Sequence, residues 1–366
     1  MRTWLGIALG AAIVVGCSAS EQRSGFNQED PAGGAGGISS GGFGTSSSSG
    51  GPVDPKECAK AQAVATRPPV DVIVSVDQSG SMSDDIANVK ANINKLSDFL
   101  QKTGLDYRVV MIGTPGTGSY DICVPPPLGG PSCTSNGNTF RVVNRNVQSS
   151  DTLSIIISTL QQTSGAMEWK SFLRPSALKI FIPITDDNSY IKATAFDPDL
   201  LTKGQGLFGS ATDRRYVFYP ITGAAAFPSE STCGSNAVNN GKEYLELAKL
   251  TKGRWFPICL KDFAPVFEEI ARNVAVTVAC ELDVPKPAGG GEIDFDRVNV
   301  SIAPSNGGAS RDVLQDASKP CDGGADGWQY NTDRTKIRLC GAACDGVRAD
   351  VGTKVTVEFG CQTRVK

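Results

Sequence analysis

Residues 70–83 read Val-Asp-Val-Ile-Val-Ser-Val-Asp-Gln-Ser-Gly-Ser-Met-Ser, and this stretch decides the fold. Residues 70–76 are nearly all apolar and β-branched, as a central parallel strand buried on both faces should be. Asp77-Gln78-Ser79-Gly80-Ser81 follows at once, in residue types that form turns. From Ser83 onward apolar residues recur at Ile86, Val89, Ile93, Leu96, Phe99 and Leu100, the period of a helix. A buried strand, a polar turn and an amphipathic helix make the opening of a βαβ unit.

Working outward, the alternation continues. Residues 107–112 and 139–143 read as strands, and residues 151–162 as a helix with Asp151 as its N-cap. Strands are expected over 178–185, 216–221 and 254–258, and helices over 243–252 and 263–275. The segments 114–138 and 188–215 read as loops. This order predicts an α/β fold, a doubly wound, mostly parallel sheet, over residues 57–281. Past Val284 the texture changes: Pro285, Pro287 and Gly289 to Gly291 mark a boundary, after which come short β-like runs at 298–302, 336–339 and 354–359 with no helical period. Residues 282–366 are therefore expected to form a small β module stapled by disulfides.

In a doubly wound sheet, ligands gather at the carboxyl ends of the strands. Asp77, Ser79 and Ser81 would stand there, offering three oxygens to a hard cation. This Asp-x-Ser-x-Ser after an apolar strand resembles the metal-ion-dependent adhesion site of von Willebrand factor type A domains, and the resemblance covers roughly residues 66 to 280. It implies two further ligands. Asp186, in Ile184-Thr185-Asp186 at a later strand end, matches the family's Asp, and Thr163 in Gln162-Thr163-Ser164-Gly165 takes the place of its Thr, with Ser164 as the alternative. Asp187 stands where the family often has Gly. The resemblance implies Mg2+ as cofactor, with Mn2+ or Ca2+ as substitutes, and a protein ligand that offers an Asp or Glu carboxylate, in adhesion or assembly. The alternative is a structural envelope protein with a vestigial, metal-free type A domain. Catalysis with the cation as Lewis acid has no visible base or nucleophile beside the site, so a binder is expected rather than an enzyme.

Composition narrows the chemistry further. The 366 residues contain no histidine, which excludes Ser-His-Asp and Cys-His catalysis and imidazole-ligated metals. A net charge of -3 with scattered basic residues gives no sign of a nucleic-acid partner. Gly234 to Gly241-Lys242 is too widely spaced for a phosphate loop and reads as a loop opening a helix. Trp169, Trp255 and Trp328 are candidates for exposed binding aromatics, though Trp255 lies in a strand run and belongs to the core. Asp186-Asp187 is set aside as a catalytic pair, because neighbours on a strand point to opposite faces.

At the N-terminus, one basic residue precedes an apolar run over residues 4–15, too short for the ~20 residues of a spanning helix but suited to a secretory signal. Val14-Val15-Gly16-Cys17 resembles the lipobox of bacterial lipoproteins. The resemblance implies that residues 1–17 are the signal, that Cys17 is acylated, and that Ser18 directs retention at the outer membrane of a Gram-negative envelope, with lipid as the sole membrane contact. Residues 18–56 are Gly- and Ser-rich, a disordered tether with a mean reach of roughly 30 to 40 Å.

Of eleven cysteines, setting aside Cys17 leaves Cys58, Cys123, Cys133, Cys233, Cys259, Cys280, Cys321, Cys340, Cys344 and Cys361, enough for five disulfides. The Pro- and Gly-rich loop between Cys123 and Cys133 favours that pair. Cys233 with Cys259, and Cys58 with Cys280 across the ends of the type A domain, are the other expectations. A zinc site at Cys340-Gly-Ala-Ala-Cys344 is disfavoured by the lack of histidine and of clustered cysteine spacings. Cys17→Ser is expected to release the protein from the membrane fraction, since each buried methylene of the acyl chains adds ~0.8 kcal/mol of membrane affinity. Failure of labelled fatty acid to enter the wild-type protein would contradict this assignment.

Overall fold

The computed structural model describes residues 61–234, 237–286, 292–350 and 352–366. Cys17, Cys58 and the segments read as signal and tether lie outside the described residues. The chain runs through β1 (Ala61–Val64), β2 (Val70–Val76), α1 (Ser83–Lys102), β3 (Tyr107–Gly113), β4 (Phe140–Asn144), α2 (Thr152–Leu160) and β5 (Leu178–Ile184). It continues as α3 (Ala193–Gly204), β6 (Tyr216–Phe218), β7 (Ile221–Thr222), α4 (Lys242–Leu250), β8 (Phe256–Pro257) and α5 (Ala264–Ala279). The C-terminal part contains β9 (Glu281–Asp283), β10 (Val298–Ala303), β11 (Arg311–Val313), β12 (Gly327–Tyr330), β13 (Lys336–Cys340), α6 (Gly341–Ala349) and β14 (Lys354–Phe359).

Seven strands form one sheet in the order β4-β3-β2-β5-β7-β8, with β6 also paired to β5, and every pairing in it is parallel. The sheet is doubly wound because alternate residues of each strand serve opposite faces. Val72, Val74 and Val76 pack with Ile86, Val89 and Ile93 of α1 and with Phe267 and Ile270 of α5. Ile73, Val110 and Phe181 pack on the other side with Ile156 of α2, Phe196 of α3 and Leu245 of α4. The chain proceeds outward from β2 to β3 and β4, then crosses back to lay β5 on the other edge of β2. The order of strands therefore reverses between β2 and β5, which is where such sheets open a crevice for ligands.

Two departures from a uniform apolar sheet have clear causes. Asp71, wholly buried in β2, accepts from the Arg174 backbone N–H at 2.7 Å and from Arg174 Nε at 2.8 Å. Arg174 also donates to the Val70 carbonyl and pairs with Asp106, so one guanidinium ties down the amino ends of β2 and β3. The strand expected over 216–221 is broken into β6 and β7 because Pro220 has no N–H to continue the ladder.

The segment expected as a loop over 188–215 contains α3. Pro198 lies inside this helix and obscures it in the sequence. Its stability comes from tertiary contacts instead. Phe196 and Leu200 are buried, Glu243 accepts from the first helical N–H at 2.8 Å, and Asp197 binds Arg214 through two hydrogen bonds of 2.8 Å as well as the buried Tyr216 hydroxyl. Asp151 does not cap α2 with its side chain; it accepts from the Gln148 N–H at 2.7 Å. Trp169, Trp255 and Trp328 are all buried and so cannot serve as binding aromatics.

The C-terminal part is β-rich, with two antiparallel sheets, β1-β14-β10-β11 and β12-β13-β9, enclosing their own core around Trp328, Ile337, Val300 and Val357. Its boundaries differ from the expected 282–366, because β1 pairs with β14 in full register. It also contains a helix, α6, where only strands were expected. Cys280 closes α5 against α6 by bonding Cys344, not Cys58, and Cys321 bonds Cys340. Cys123–Cys133 and Cys233–Cys259 are bonded as expected, and Cys361 is also disulfide-bonded. Among the described residues no helix is long and apolar enough to cross a membrane.

Arg214 and Tyr216 hold the Asp197 carboxyl below its ordinary range, with burial opposing them. An acid with a depressed folded-state pKa adds stability above its unfolded value and loses it as pH falls through the folded value. Asp197→Ala is accordingly expected to lower unfolding free energy by about 2 to 3 kcal/mol at neutral pH. In urea titrations the gap between wild type and variant should close below about pH 4; an equal gap at both pH values would refute the assignment.

Candidate metal centre

β2 and β5 run side by side to their carboxyl ends, where Val76 stands opposite Ile184. The Asp77 N–H extends the ladder by one step to the Ile184 carbonyl at 3.0 Å, and the chain then leaves the sheet. Asp77 Oδ1 accepts the Ser79 N–H at 2.8 Å, a short polar turn that aims the Ser79 and Ser81 hydroxyls back across the crest. A single turn of 3-10 helix over Gly80–Met82 then leads into α1.

Asp186 meets this turn from the other strand. Ser81 Oγ donates to Asp186 Oδ1 at 3.1 Å and lies 3.2 Å from Ser79 Oγ. Thr185 Oγ1 donates to Asp77 Oδ2 at 2.7 Å and accepts the Asp187 N–H at 3.1 Å. Carboxylate oxygens of Asp77, Asp186 and Asp187 all lie within 4.8 Å of one another. Asp186 is 1% exposed, and its Oδ2 has no hydrogen-bond partner. Among the described residues none of the three carboxylates makes an ion pair with Lys or Arg. An all-oxygen donor set with excess negative charge and an orphaned buried oxygen fits a hard divalent cation.

The electrostatics agree with the geometry. Burial raises the pKa of Asp77, against the hydrogen bonds from Ser79 and Thr185. Burial also raises that of Asp186, helped by the charges of Asp187 and Asp77. Asp85, in the first turn of α1, is pushed up to about 7 by burial and by its neighbours Asp186, Asp84 and Asp77.

The structure brings together Asp77, Ser79, Ser81 and Asp186, but not Thr163. Thr163 and Ser164 lie beyond the C-terminal end of α2, exposed, whereas the site touches the loop before that helix. Gln78 N–H donates to the Val147 carbonyl at 2.8 Å, and Thr185 Oγ1 lies 3.4 Å from the Ser149 carbonyl. Nine helical residues, roughly 14 Å of rise, separate the two ends. Helices after parallel strands start at the crest and run away from it, so a loop following α2 falls at the wrong end.

Three contributors were missed. Thr185 orients Asp77. Asp187 joins the cluster because β5 has already ended at Ile184, so the alternation of a strand no longer separates it from Asp186. Gln78 fixes the neighbouring loop, accepting from the Thr114 N–H at 2.7 Å and donating to the Tyr120 carbonyl at 2.6 Å. A further loop closes the other side, where the Asn239 N–H donates to the Asp186 carbonyl at 3.1 Å and Asn239 Nδ2 to Asp187 Oδ1 at 3.3 Å.

No protein-family model matches the chain, and no curated protein matches its sequence. Among solved structures, the pilus adhesin SpaC from Lactobacillus rhamnosus GG, in an open conformation, is a distant match at 10% sequence identity with a TM-score of 0.32. The match covers 82% of this chain and 39% of that one, so this chain spans about two fifths of the adhesin's length.

The raised acids set the sign of a pH dependence. With all divalent cations chelated, the folded protein binds protons more tightly than the unfolded chain, whose aspartates titrate near 3.8. Stability is therefore expected to fall as pH rises from that value through about 7. Magnesium should offset the loss, by about 2.7 kcal/mol at one hundred times its Kd. Urea midpoints at about pH 5 and about pH 7.5, with chelator and then with magnesium, measure both effects. A chelated protein that gains stability across this window would contradict the electrostatic account.

Proposed function

We propose that this chain is a cation-dependent binding protein of the bacterial cell envelope, with a type A adhesion site formed by Asp77, Ser79, Ser81 and Asp186 and supplemented by Asp187. The observation that carries this reading is the buried, unpartnered Asp186 oxygen within a cluster of three carboxylates and two hydroxyls at the point where strand order reverses. The cation would be Mg2+, with Mn2+ or Ca2+ as substitutes, and would take an Asp or Glu side chain of a protein partner into its open coordination position. The role is adhesion or assembly rather than catalysis. A lipid on Cys17 and the tether over 18–56 would hold the domain at the outer membrane.

The loops around the cluster present the kind of side chains that bind proteins. Tyr190 follows Asp187 by three residues and is 83% exposed, while its backbone is fixed by a 3.0 Å bond to the Ser150 carbonyl. Tyr120 is exposed on the loop that Gln78 holds. Rigidly mounted tyrosines give large contact area at low entropic cost.

The test is capture of a partner from envelope extract on the immobilised full chain. Elution by chelator and loss of capture by Asp77→Ala, with near-UV circular dichroism unchanged, are expected. Tyr190→Ala should weaken partner affinity about 5- to 30-fold, equivalent to about 1 to 2 kcal/mol, and leave magnesium binding unaltered. Capture that survives both chelator and Asp77→Ala would assign the function to a metal-free structural role.

A further inference from the structure

At the other end of the sheet, about 20 Å from the crest along β5, a cleft of about 580 Å³ lies between the amino ends of β5 and β6, the last turns of α5, and β13 with α6. Its floor is apolar, with Leu178, Val217 and Val276. Its walls carry seven Arg or Lys residues against two carboxylates, Asp213 and Glu281. This concentration of positive charge stands out in a chain with a net charge of -3.

Most of these cations have partners that reach in from around the cleft. Arg214 is held by Asp197, Arg254 by Glu269, Lys336 by Asp283 and Arg338 by Asp213. Arg215 is different. Its guanidinium donates to the Ser176 carbonyl at 3.2 Å and makes no ion pair among the described residues, leaving most of its five donors free. Across the wall, Arg254 Nε is buried without a hydrogen-bond partner. Behind them, Lys179 is wholly buried and its pKa falls to about 8, chiefly through burial; the attraction of Asp71 opposes this, and the charges of Arg215, Arg174 and Lys336 add to it to a smaller extent.

The geometry points to this cleft as a binding site for a phosphate-bearing small molecule, with its anionic group on Arg215 and Arg254 and its apolar part on the floor. A planar guanidinium with free parallel donors suits a phosphate oxygen pair, and the volume suits a small-molecule ligand rather than a bare ion. The cleft lies apart from the crest, so this inference does not depend on the cation site.

Pyrophosphate is the probe, titrated calorimetrically into the full chain at low ionic strength with chelator present. Binding to wild type is expected. It should weaken about tenfold or more in Arg215→Glu, the loss of a charge-assisted pair of hydrogen bonds, and partly in Arg254→Gln. Arg215 is half-exposed and makes a single hydrogen bond, and near-UV circular dichroism verifies that each variant is folded. Absence of wild-type binding at millimolar pyrophosphate, or equal affinity in folded Arg215→Glu, would overturn the assignment.

Discussion

The parallel register of β2 on β5 sets what stands next to what at the crest. Seven consecutive rungs, from Val70 opposite Leu178 to Val76 opposite Ile184, bring two strand ends level although they are far apart in sequence. Asp77 and Asp186 must then leave the sheet side by side, and like charges about 4 Å apart repel by roughly 4 kcal/mol at the effective dielectric near a protein surface. Local donors offset part of this: the Ser79 N–H and Thr185 hydroxyl for Asp77, and the Ser81 hydroxyl for Asp186. One Asp186 oxygen remains without a donor. The sheet tolerates this local strain because it is packed on both faces by apolar residues that have no part in the site.

Much of the scaffold was legible because its signals are local. A strand buried on both faces shows as a continuous apolar run, and α1 shows as a period. Cys123 and Cys133 are close in sequence, and their partnership could be read from the loop between them. Other features rest on contacts that single-segment patterns do not contain. α3 carries an interior proline and is held by Arg214, Tyr216 and Glu243 from elsewhere in the chain. α6 is a nine-residue helix with two glycines, held to α5 by the Cys280–Cys344 bond. At the site, the residues after β2 and β5 were legible from the strand ends, whereas Thr163 was misplaced by assigning the loop at the wrong end of α2. Asp187 was discounted by applying strand alternation beyond the end of β5, three residues past Ile184.

Placement of the C-terminal sheets follows from the same winding. Each helix that follows a parallel strand begins at the crest and ends at the foot, so α5 delivers Cys280 to the foot of the sheet, beside the place where β2 begins. β1 enters from that side and completes the sheet of β14 and β10. The module is thus anchored by a strand from before the α/β part and by a disulfide from its last helix. Among the described residues these attachments lie at the foot, away from the crest.

The same winding also orders the charges. Helix N-termini gathered at the crest carry partial positive charge, and C-termini at the foot carry partial negative charge, each equivalent to about half an elementary charge. Acidic side chains are best tolerated at the first end and basic ones at the second, which is how Asp77, Asp186 and Asp187 are distributed against Arg215, Arg254 and Lys336. A net charge of -3 therefore conceals two opposite fields. At the foot an anion would meet guanidinium directly and need no intermediary. At the crest an incoming carboxylate would meet three carboxylates, so repulsion would prevail until a cation neutralised them and left the positive end of α1. Under the two proposals, one end of the sheet would bind anions directly, and the other only with a divalent cation present to reverse its sign.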